Sequence, residues 1–268
     1  MSKKINYAET RLIKSKQNRK FGGFFAILLS ILMVGCMVAI SGVLSGFLTI
    51  ADIGLLFNNK NVINSHSYYM VVMGEYNNLA DAETVASGAA VMGAASYVWN
   101  NNNKFFVVGN IYKTKEDANK VCEQIKNTAN YNIFVKQIDF KKLNISNKNY
   151  TTEQLKTIVD SIKFIGTIYE KTYDYGVKID KNEIAATQVS SELNNIKSQV
   201  KIFASKLDSI NSVSVSETTI NIKNAYIKIV DALDSAILKV INGSSVNKDI
   251  KYLTCTIVDA KYNLYQNI

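Results

Sequence analysis

The side chains that most often carry out chemistry in proteins are few and widely separated in this sequence. The chain of 268 residues contains one histidine, His66, and three cysteines, Cys36, Cys122 and Cys255, with no C-x-x-C pair. Zinc sites need several histidine or cysteine ligands, and a Ser-His-Asp triad needs a histidine held between two partners. We therefore predict no metal site, no cofactor and no catalytic residue of these kinds.

Carboxylates are the remaining source of acid–base chemistry. A glycosidase needs two opposed carboxylates in a cleft. Glu75 and Asp81 lie near the first predicted turn, but nothing in the pattern pairs them. We predict a protein that is not an enzyme.

Two cysteines, Cys122 and Cys255, each lie within a helical pattern. Spacing cannot decide whether they form a disulfide, so that interpretation stays open. Two separate, small buried thiols are the favoured interpretation.

Two stretches of the chain repeat one pattern, namely YMVVMGEYNNLADAETV (69–85) and FFVVGNIYKTKEDANKV (105–121). Each predicts a strand of apolar and β-branched residues, then a glycine, a polar turn and an amphipathic helix. Thr114 precedes Lys115, Glu116 and Asp117, as a helix N-cap does before an acidic first turn. The gap from the glycine to the matching alanine is one residue longer in the second copy.

The residues between and after the two copies complete a domain. ASYVW (95–99) followed by four asparagines (100–103) predicts a hairpin, because Asn tolerates the left-handed backbone of tight turns. Residues 132–138 predict a last strand. The order βαββαβ is that of an α+β, ferredoxin- or RNP-like domain, a four-stranded sheet with two helices on one face.

Strand alternation predicts which side chains face those helices and which face the free side of the sheet. In the first repeat, Val71 and Met73 are expected to face the helices, and Met70 and Val72 the free side. In the second repeat, the same reasoning places Phe106 and Val108 inward. Phe105 and Val107 are then expected on the free side.

These residues resemble the sporulation-related repeat, or SPOR, domain, over residues 67–140. The resemblance is carried by Gly74, Tyr76 and Ala82 in the first repeat, and by Gly109, Ile111 or Tyr112, and Ala118 in the second. It implies a domain that binds bacterial cell-wall glycan, prefers strands stripped of stem peptides and gathers at division sites. The glycan-binding candidates on the free face are Met70, Val72, Trp99, Phe105 and Val107.

The N-terminal part of the chain has the pattern of a membrane anchor. Residues 1–20 hold seven Lys or Arg against one Glu, and residues 21–51 contain no charge. About 20 apolar residues span a bilayer as a helix, whereas the apolar core of a signal peptide has about 7–15. We predict a cytoplasmic tail (1–20), a transmembrane helix (21–51) and a linker (52–66). MVGC (33–36) resembles a lipoprotein processing box, a less favoured alternative because the apolar run continues past Cys36.

The C-terminal part has the period of helices. Apolar residues step by three and four through residues 155–169, 189–210, 226–240 and 250–264. Capping-box spacing, which marks helix starts, occurs in three pairs: Thr151 with Gln154, Asp180 with Glu183, and Ser214 with Glu217. Helix ends are predicted at Gly176 and Gly243. After a linker (141–150), residues 151–268 are therefore predicted to form an all-α, antiparallel four-helix bundle.

Together these patterns predict a single-pass cell-membrane protein with its N-terminus in the cytoplasm and both domains outside. Most of the net charge of +9 lies in the N-terminal tail, so nucleic acid is not an expected partner. The expected function is non-catalytic binding of peptidoglycan in a bacterial envelope, during cell division or sporulation. The alternative is an envelope scaffold, in which the sheet face is covered or binds protein, and the bundle recruits partners or self-associates.

Overall fold

The computed structural model describes residues 61–126, 132–146, 150–212, 215–243 and 246–268. The predicted tail (1–20), the predicted membrane segment (21–51) and most of the first linker lie outside these residues. Within the described part of the chain, no helix is both long enough and apolar enough to span a bilayer.

Six strands and six helices follow one another along the described residues. In chain order they are β1 (Val62–Ile63), β2 (His66–Tyr76), α1 (Leu79–Val91), β3 (Tyr97–Asn101), β4 (Lys104–Tyr112), α2 (Lys115–Lys126), β5 (Phe134–Phe140), β6 (Leu143–Asn144), α3 (Thr152–Asp180), α4 (Ala186–Asn211), α5 (Glu217–Ile241) and α6 (Val246–Gln266). The predicted α/β region followed by a helical region is confirmed.

The four long strands form one antiparallel sheet in the order β3-β4-β2-β5. The two short strands, β1 and β6, pair beside it with Val62 opposite Asn144. Asn102 and Asn103 both have positive φ angles, of 52° and 61°, in the β3–β4 turn, as the asparagine run predicts.

The two helices on the sheet begin at polar side chains. Asn78 accepts a hydrogen bond from the backbone N–H of Asp81 at 2.9 Å and caps α1. The Thr114 hydroxyl accepts from the backbone N–H of Asp117 at 3.1 Å, so the predicted N-cap of α2 is confirmed. Each cap satisfies a backbone donor that the first helical turn leaves unpaired.

Strands β2 and β4 are not in simple register. Their pairing shifts between Val71 and Val72 and again between Val72 and Gly74. A shift of one residue reverses the face to which a side chain points. Val71 and Met73 do face α1 and α2, and Met70 and Val72 the opposite side, as predicted.

The prediction for β4 is wrong. Val107 is buried among the residues beneath α1 and α2, and Phe105 packs against the same group. Phe106 and Val108 lie on the opposite side, with Met70 and Val72. The irregular register explains the error, because the two repeats enter the sheet out of phase by one residue.

The helical region consists of four long helices, α3 to α6, and two of the helix ends predicted from the sequence differ from those in the structure. Thr151 and Gln154 form a complete capping box at the start of α3. Helix α3 runs through Gly176 to Asp180, and α4 starts after Ala185 without a side-chain cap, so Asp180 does not begin a helix. Because α3 continues past Gly176 without a break, the helix start predicted at Asp180 falls within the last turn of α3.

The remaining ends fit the sequence pattern more closely. Ser216 caps α5, while the predicted cap, Ser214, lies outside the described residues. Helix α5 ends at Ile241, and Gly243 follows it with a φ of 70°, as predicted for a helix end. Each helix packs on its neighbour in sequence, and α6 also packs on α3, which closes the bundle.

The described residues belong to one compact unit, Asn59–Ile268, with two hydrophobic cores. The smaller core, here called the helix-side core, lies between the sheet and helices α1 and α2. Its buried residues are Val71, Met73, Ala82, Ala86, Ala89, Val107, Ala118, Cys122 and Ile133. The larger core, here called the shared core, runs from the other sheet face into the bundle without interruption.

Candidate functional site

The predicted free face of the sheet is covered by the bundle. Helix α6 packs on β3 and β4. Three of the five predicted glycan-binding residues are buried there: Met70 is 1% exposed, Val72 0% and Trp99 2%. The other two, Phe105 and Val107, lie on the opposite face. Glycan binding by these five residues stays a prediction, and at the covered face it would require the helices to move.

Aromatic rings make up much of the contact between the covered face and the bundle. Trp99 meets Tyr262 edge-on, with ring centroids 5.5 Å apart. Tyr68 packs against Tyr169 at 4.2 Å. Tyr97 meets Tyr252 at 5.2 Å. Such pairs contribute on the order of 1 kcal/mol each beyond the area that they bury.

The residues that define the repeats have structural roles. A Cβ atom on Gly74 would come within 2.5 Å of the Tyr76 hydroxyl oxygen, so the glycine is needed for the tyrosine to fold back over it. Ala82 and Ala118 are fully buried beneath the sheet, where larger side chains would hold α1 and α2 away from it. Tyr112 is partly exposed, and burial raises its pKa to about 12.

A buried carboxylate joins the sheet to two helices of the bundle. The Tyr97 hydroxyl donates to Asp259 at 2.6 Å, and Lys228 of α5 donates to the same oxygen at 2.5 Å. Asn263 donates to the second oxygen at 3.1 Å. Asp259 is 8% exposed, so its charge is balanced by these donors rather than by water. Burial and the nearby carboxylate raise the pKa of Tyr97.

A buried lysine makes a second polar link, at the other end of the interface. The Lys261 Nζ lies 2.7 Å from His66 Nε2 and donates to the Tyr68 hydroxyl at 3.1 Å. It also lies 5.0 Å from the ring centroids of both Tyr68 and Phe140. Burial lowers the pKa of Lys261 to about 7, opposed by the charge of Glu170. Burial, and then the charge of Lys261, lower the pKa of His66 to about 4.

Asp259 and Lys261 were not predicted from the sequence as interface residues, although a signal for them exists. Helix α6 has buried residues around most of its circumference, including Leu253, Cys255 and Val258. A helix that is apolar on more than one side must be covered on more than one side. Polar residues within such a helix are then expected to find partners at an interface.

The neighbouring part of the sheet is open to solvent. On the side of α1 and α2, at the ends of β2 and β5, Ser67 donates to Asp139 at 2.6 Å. Gln137 donates to the same oxygen at 2.7 Å. A cleft of about 400 Å³ beside them is lined by Ser65, His66, Ser67, Asp139, Phe140 and Lys141. The two hydrogen bonds lower the pKa of Asp139.

Neither Cys122 nor Cys255 forms a disulfide; both are buried, free thiols. This confirms the favoured interpretation from the sequence. Burial raises the pKa of Cys255. Among the described residues, no group of three or more His, Cys, Asp or Glu side chains could hold a metal ion.

The chain was compared with known proteins. The family model described as the SPOR domain matches residues 65–137. The solution structure of the peptidoglycan binding domain of the B. subtilis cell wall lytic enzyme CwlC is 25% identical. The match covers 28% of this chain and 95% of that one, with a TM-score of 0.26. No curated protein matches the chain. On the match of the family model, residues 65–137 form a SPOR domain.

Proposed function

We propose that this protein binds peptidoglycan, without catalysis, from the membrane of a bacterial envelope. The single observation that carries the proposal is the SPOR domain at residues 65–137, because binding of cell-wall glycan is what that family implies. The βαββαβ order and the packing of Gly74, Ala82 and Ala118 support it.

Membrane attachment is the part of the proposal that rests on sequence alone. Residues 21–51 carry no charge and follow a strongly basic tail. Such a segment spans a bilayer with its basic flank in the cytoplasm. The SPOR domain and the bundle would then lie outside the cytoplasm, where the wall is. A role in cell division or in sporulation is proposed on the same resemblance.

The test is retention of the full chain, in mild detergent, on insoluble cell wall. Intact wall is compared with wall from which an amidase has removed the stem peptides. We expect retention that increases on the stripped wall, because exposed glycan is the proposed ligand. Equal and negligible retention on both walls would overturn the proposal.

A second candidate function, an envelope scaffold, is favoured by one specific observation. The sheet face predicted to hold glycan is covered by α6, with Met70, Val72 and Trp99 buried. Several large apolar residues of the bundle are exposed instead, including Leu238 at 62% and Ile241 at 65%. Leu238 and Ile241 are three positions apart on α5 and so lie on one face of that helix, and contiguous exposed apolar residues mark surfaces that bind protein.

The scaffold hypothesis makes a different prediction for the same preparation. It predicts self-association or capture of an envelope protein that is lost when Leu238 and Ile241 are both changed to Ser. Retention on wall is expected to be unaffected by this double substitution if the glycan hypothesis holds. Analytical ultracentrifugation and the wall assay together separate the two.

A further inference from the structure

Within the described residues, one end of the SPOR sheet has polar side chains that its own helices and the bundle leave partly or fully exposed. One face is buried in the shared core, and most of the other is buried by α1 and α2. At the start of β2 and the end of β5, however, Gln137 and Asp139 are exposed, and Ser67 and Tyr69 are half-buried. These four side chains point to the side of α1 and α2, because they alternate with the buried Tyr68 and Ile138.

The strands hold these side chains together in the sheet. Ser67 is directly opposite Asp139, and Tyr69 is directly opposite Gln137. One oxygen of Asp139 accepts from both the Ser67 hydroxyl and the Gln137 amide. The hydrogen bonds fix the carboxylate in one orientation and keep it ionised, while its second oxygen has no bond to either residue. Such a preordered acceptor costs little further ordering when a ligand binds.

The chemistry of this region, here called the open strip (Ser67, Tyr69, Gln137, Asp139), suits a sugar. A carboxylate accepts hydrogen bonds from the hydroxyl and acetamido N–H groups of an amino sugar, and an amide can both donate and accept. An aromatic ring packs on the apolar side of the sugar ring. Lys141, which is exposed, lines the adjoining cleft of about 400 Å³. The lysine can pair with an anionic group on the same ligand.

We propose that the open strip is the surface on which this protein binds the peptide-free strand of N-acetylated amino sugars that the SPOR resemblance implies. The proposal rests on the proposed function in peptidoglycan binding and assigns it to a surface other than the covered face. Sugar hydroxyls bind Asp139 and Gln137, and one ring packs on Tyr69. The lactyl carboxylate that removal of the stem peptide exposes pairs with Lys141.

The test is calorimetric titration of the full chain in detergent with two probes. One is a peptide-free strand of alternating N-acetylglucosamine and N-acetylmuramic acid, and the other is tetra-N-acetylchitotetraose, which has no carboxylate. Asp139→Asn and Gln137→Ala are each expected to raise Kd about tenfold for both probes, because the first removes a charge-assisted hydrogen bond and the second removes a neutral one together with a donor that orients Asp139. Lys141→Gln is expected to weaken binding of the first probe only.

Asp231→Asn is the matched control, because Asp231 is an exposed carboxylate of the bundle, remote in sequence from the strip. Trp99 is the only tryptophan of the chain, and it is buried at the covered face, so its fluorescence reports where the glycan binds. We expect its protection from acrylamide quenching to be unchanged when the probe binds. A glycan that displaced α6 would expose it.

The outcomes separate this inference from the proposed function. If the wild-type protein binds and neither Asp139→Asn nor Gln137→Ala changes Kd, the open strip is not the binding site. The same conclusion follows if binding exposes Trp99 to quenching. Either result would leave the proposal of peptidoglycan binding intact. Failure of the wild-type protein to bind either probe would overturn both. Loss of binding in the strip variants, with the Asp231→Asn control unaffected and Trp99 still protected, supports the assignment.

Discussion

The two faces of the SPOR sheet are covered in contrasting ways. On one face, two short helices pack closely through alanines, and among the described residues the helix-side core that they close contains no buried charge. On the other face, aromatic side chains meet the long helices of the bundle, and a carboxylate and an amine are buried between them. The first face is completed within residues 65–137, whereas the second needs residues more than a hundred positions away.

The difference shows which parts of the molecule depend on one another. A face lined by Tyr97, Trp99 and Phe106 would present a large apolar patch to water if the bundle were absent. On that face the hydroxyls of Tyr68 and Tyr97 are hydrogen-bonded to Lys261 and Asp259 of the bundle. The sheet and the bundle are therefore expected to unfold together, while the helix-side core can respond locally.

The largest expected effect comes from removing the central ring of the shared core. Trp99→Ala is expected to lower the free energy of unfolding by about 4 kcal/mol, because it leaves a cavity in a fully packed site. Phe105 is half-buried on the opposite face, and Phe105→Ala is expected to lower the free energy of unfolding by about half as much. Urea unfolding followed by circular dichroism measures both. Two separate transitions in the wild-type protein would contradict a shared core.

The next largest effect concerns the buried carboxylate. Asp259→Ala leaves the Tyr97 hydroxyl and the Lys228 amine without their shared acceptor, and we expect a loss of about 3 kcal/mol in unfolding free energy. The control is Asp234→Ala, since Asp234 pairs with Lys197 at 2.5 Å but is about half exposed. That substitution is expected to cost less than about 1 kcal/mol. Similar losses for the two variants would show that the link between sheet and bundle is no stronger than a surface ion pair.

The buried amine predicts a pH dependence. The pKa of Lys261 is about 7 in the folded protein, below its value of 10.5 in the unfolded chain. Above pH 7 the unfolded chain therefore holds more protons on this group, and stability rises with pH. We expect a rise of about 1 kcal/mol per pH unit between pH 7 and pH 9. Above this window the buried tyrosines, whose pKa values are raised, act in the opposite direction.

The matching variant is Lys261→Met, which keeps the length of the side chain but cannot be protonated. Its stability is expected to be nearly independent of pH between 7 and 9. His66, whose pKa is still lowered by burial, continues to make stability rise with pH below about 6.5, over a narrower range than in the wild-type protein because the charge of Lys261 is gone. Chemical denaturation at a series of pH values measures both slopes. A slope for Lys261→Met that equals the wild-type slope between pH 7 and 9 would rule out Lys261 as its source.

The smallest expected effect distinguishes the two cores by their cysteines. Cys122 lies in the helix-side core on α2 and is 5% exposed, whereas Cys255 lies in the shared core on α6 and is 0% exposed. In a variant with Cys36 changed to Ala, we expect Cys122 to react with a thiol reagent about tenfold faster than Cys255, because the short helix α2 opens locally. Cys255 is expected to react only when the whole unit unfolds. Equal rates would mean that both cores open together.

Much of the fold could be predicted from local patterns. The repeated strand-glycine-helix units gave the order βαββαβ, and the three- and four-residue steps gave four bundle helices, because both depend on nearest neighbours in sequence. The faces of Phe105 and Val107 were missed, because a register shift between paired strands leaves no local mark. Gly176 was predicted to end a helix, but it lies beside Ile250 of α6, where a small residue lets two helices approach.

The candidate site was less predictable for a related reason. Ser67, Gln137 and Asp139 are ordinary polar residues in two strands about seventy positions apart, and only pairing of the strands brings them together. Burial of Met70, Val72 and Trp99 depends on contact with a distant helix that carries no motif for that contact. Strand pairing and burial by a distant helix are properties of the tertiary structure, so no single segment of the sequence reveals them.

The distance along the chain between the sheet and α6 has a consequence during protein synthesis. Tyr97 and its partner Asp259 are 162 positions apart, so the covered face of the sheet is made long before the helix that covers it. At a synthesis rate of roughly 5–20 residues per second, the aromatic face of the sheet is made roughly 10 to 30 seconds before α6. Nascent chains that end before residue 246 are expected to bind a hydrophobic dye that the finished protein excludes. The order of synthesis therefore leaves the aromatic face of the sheet uncovered until α6 has been made.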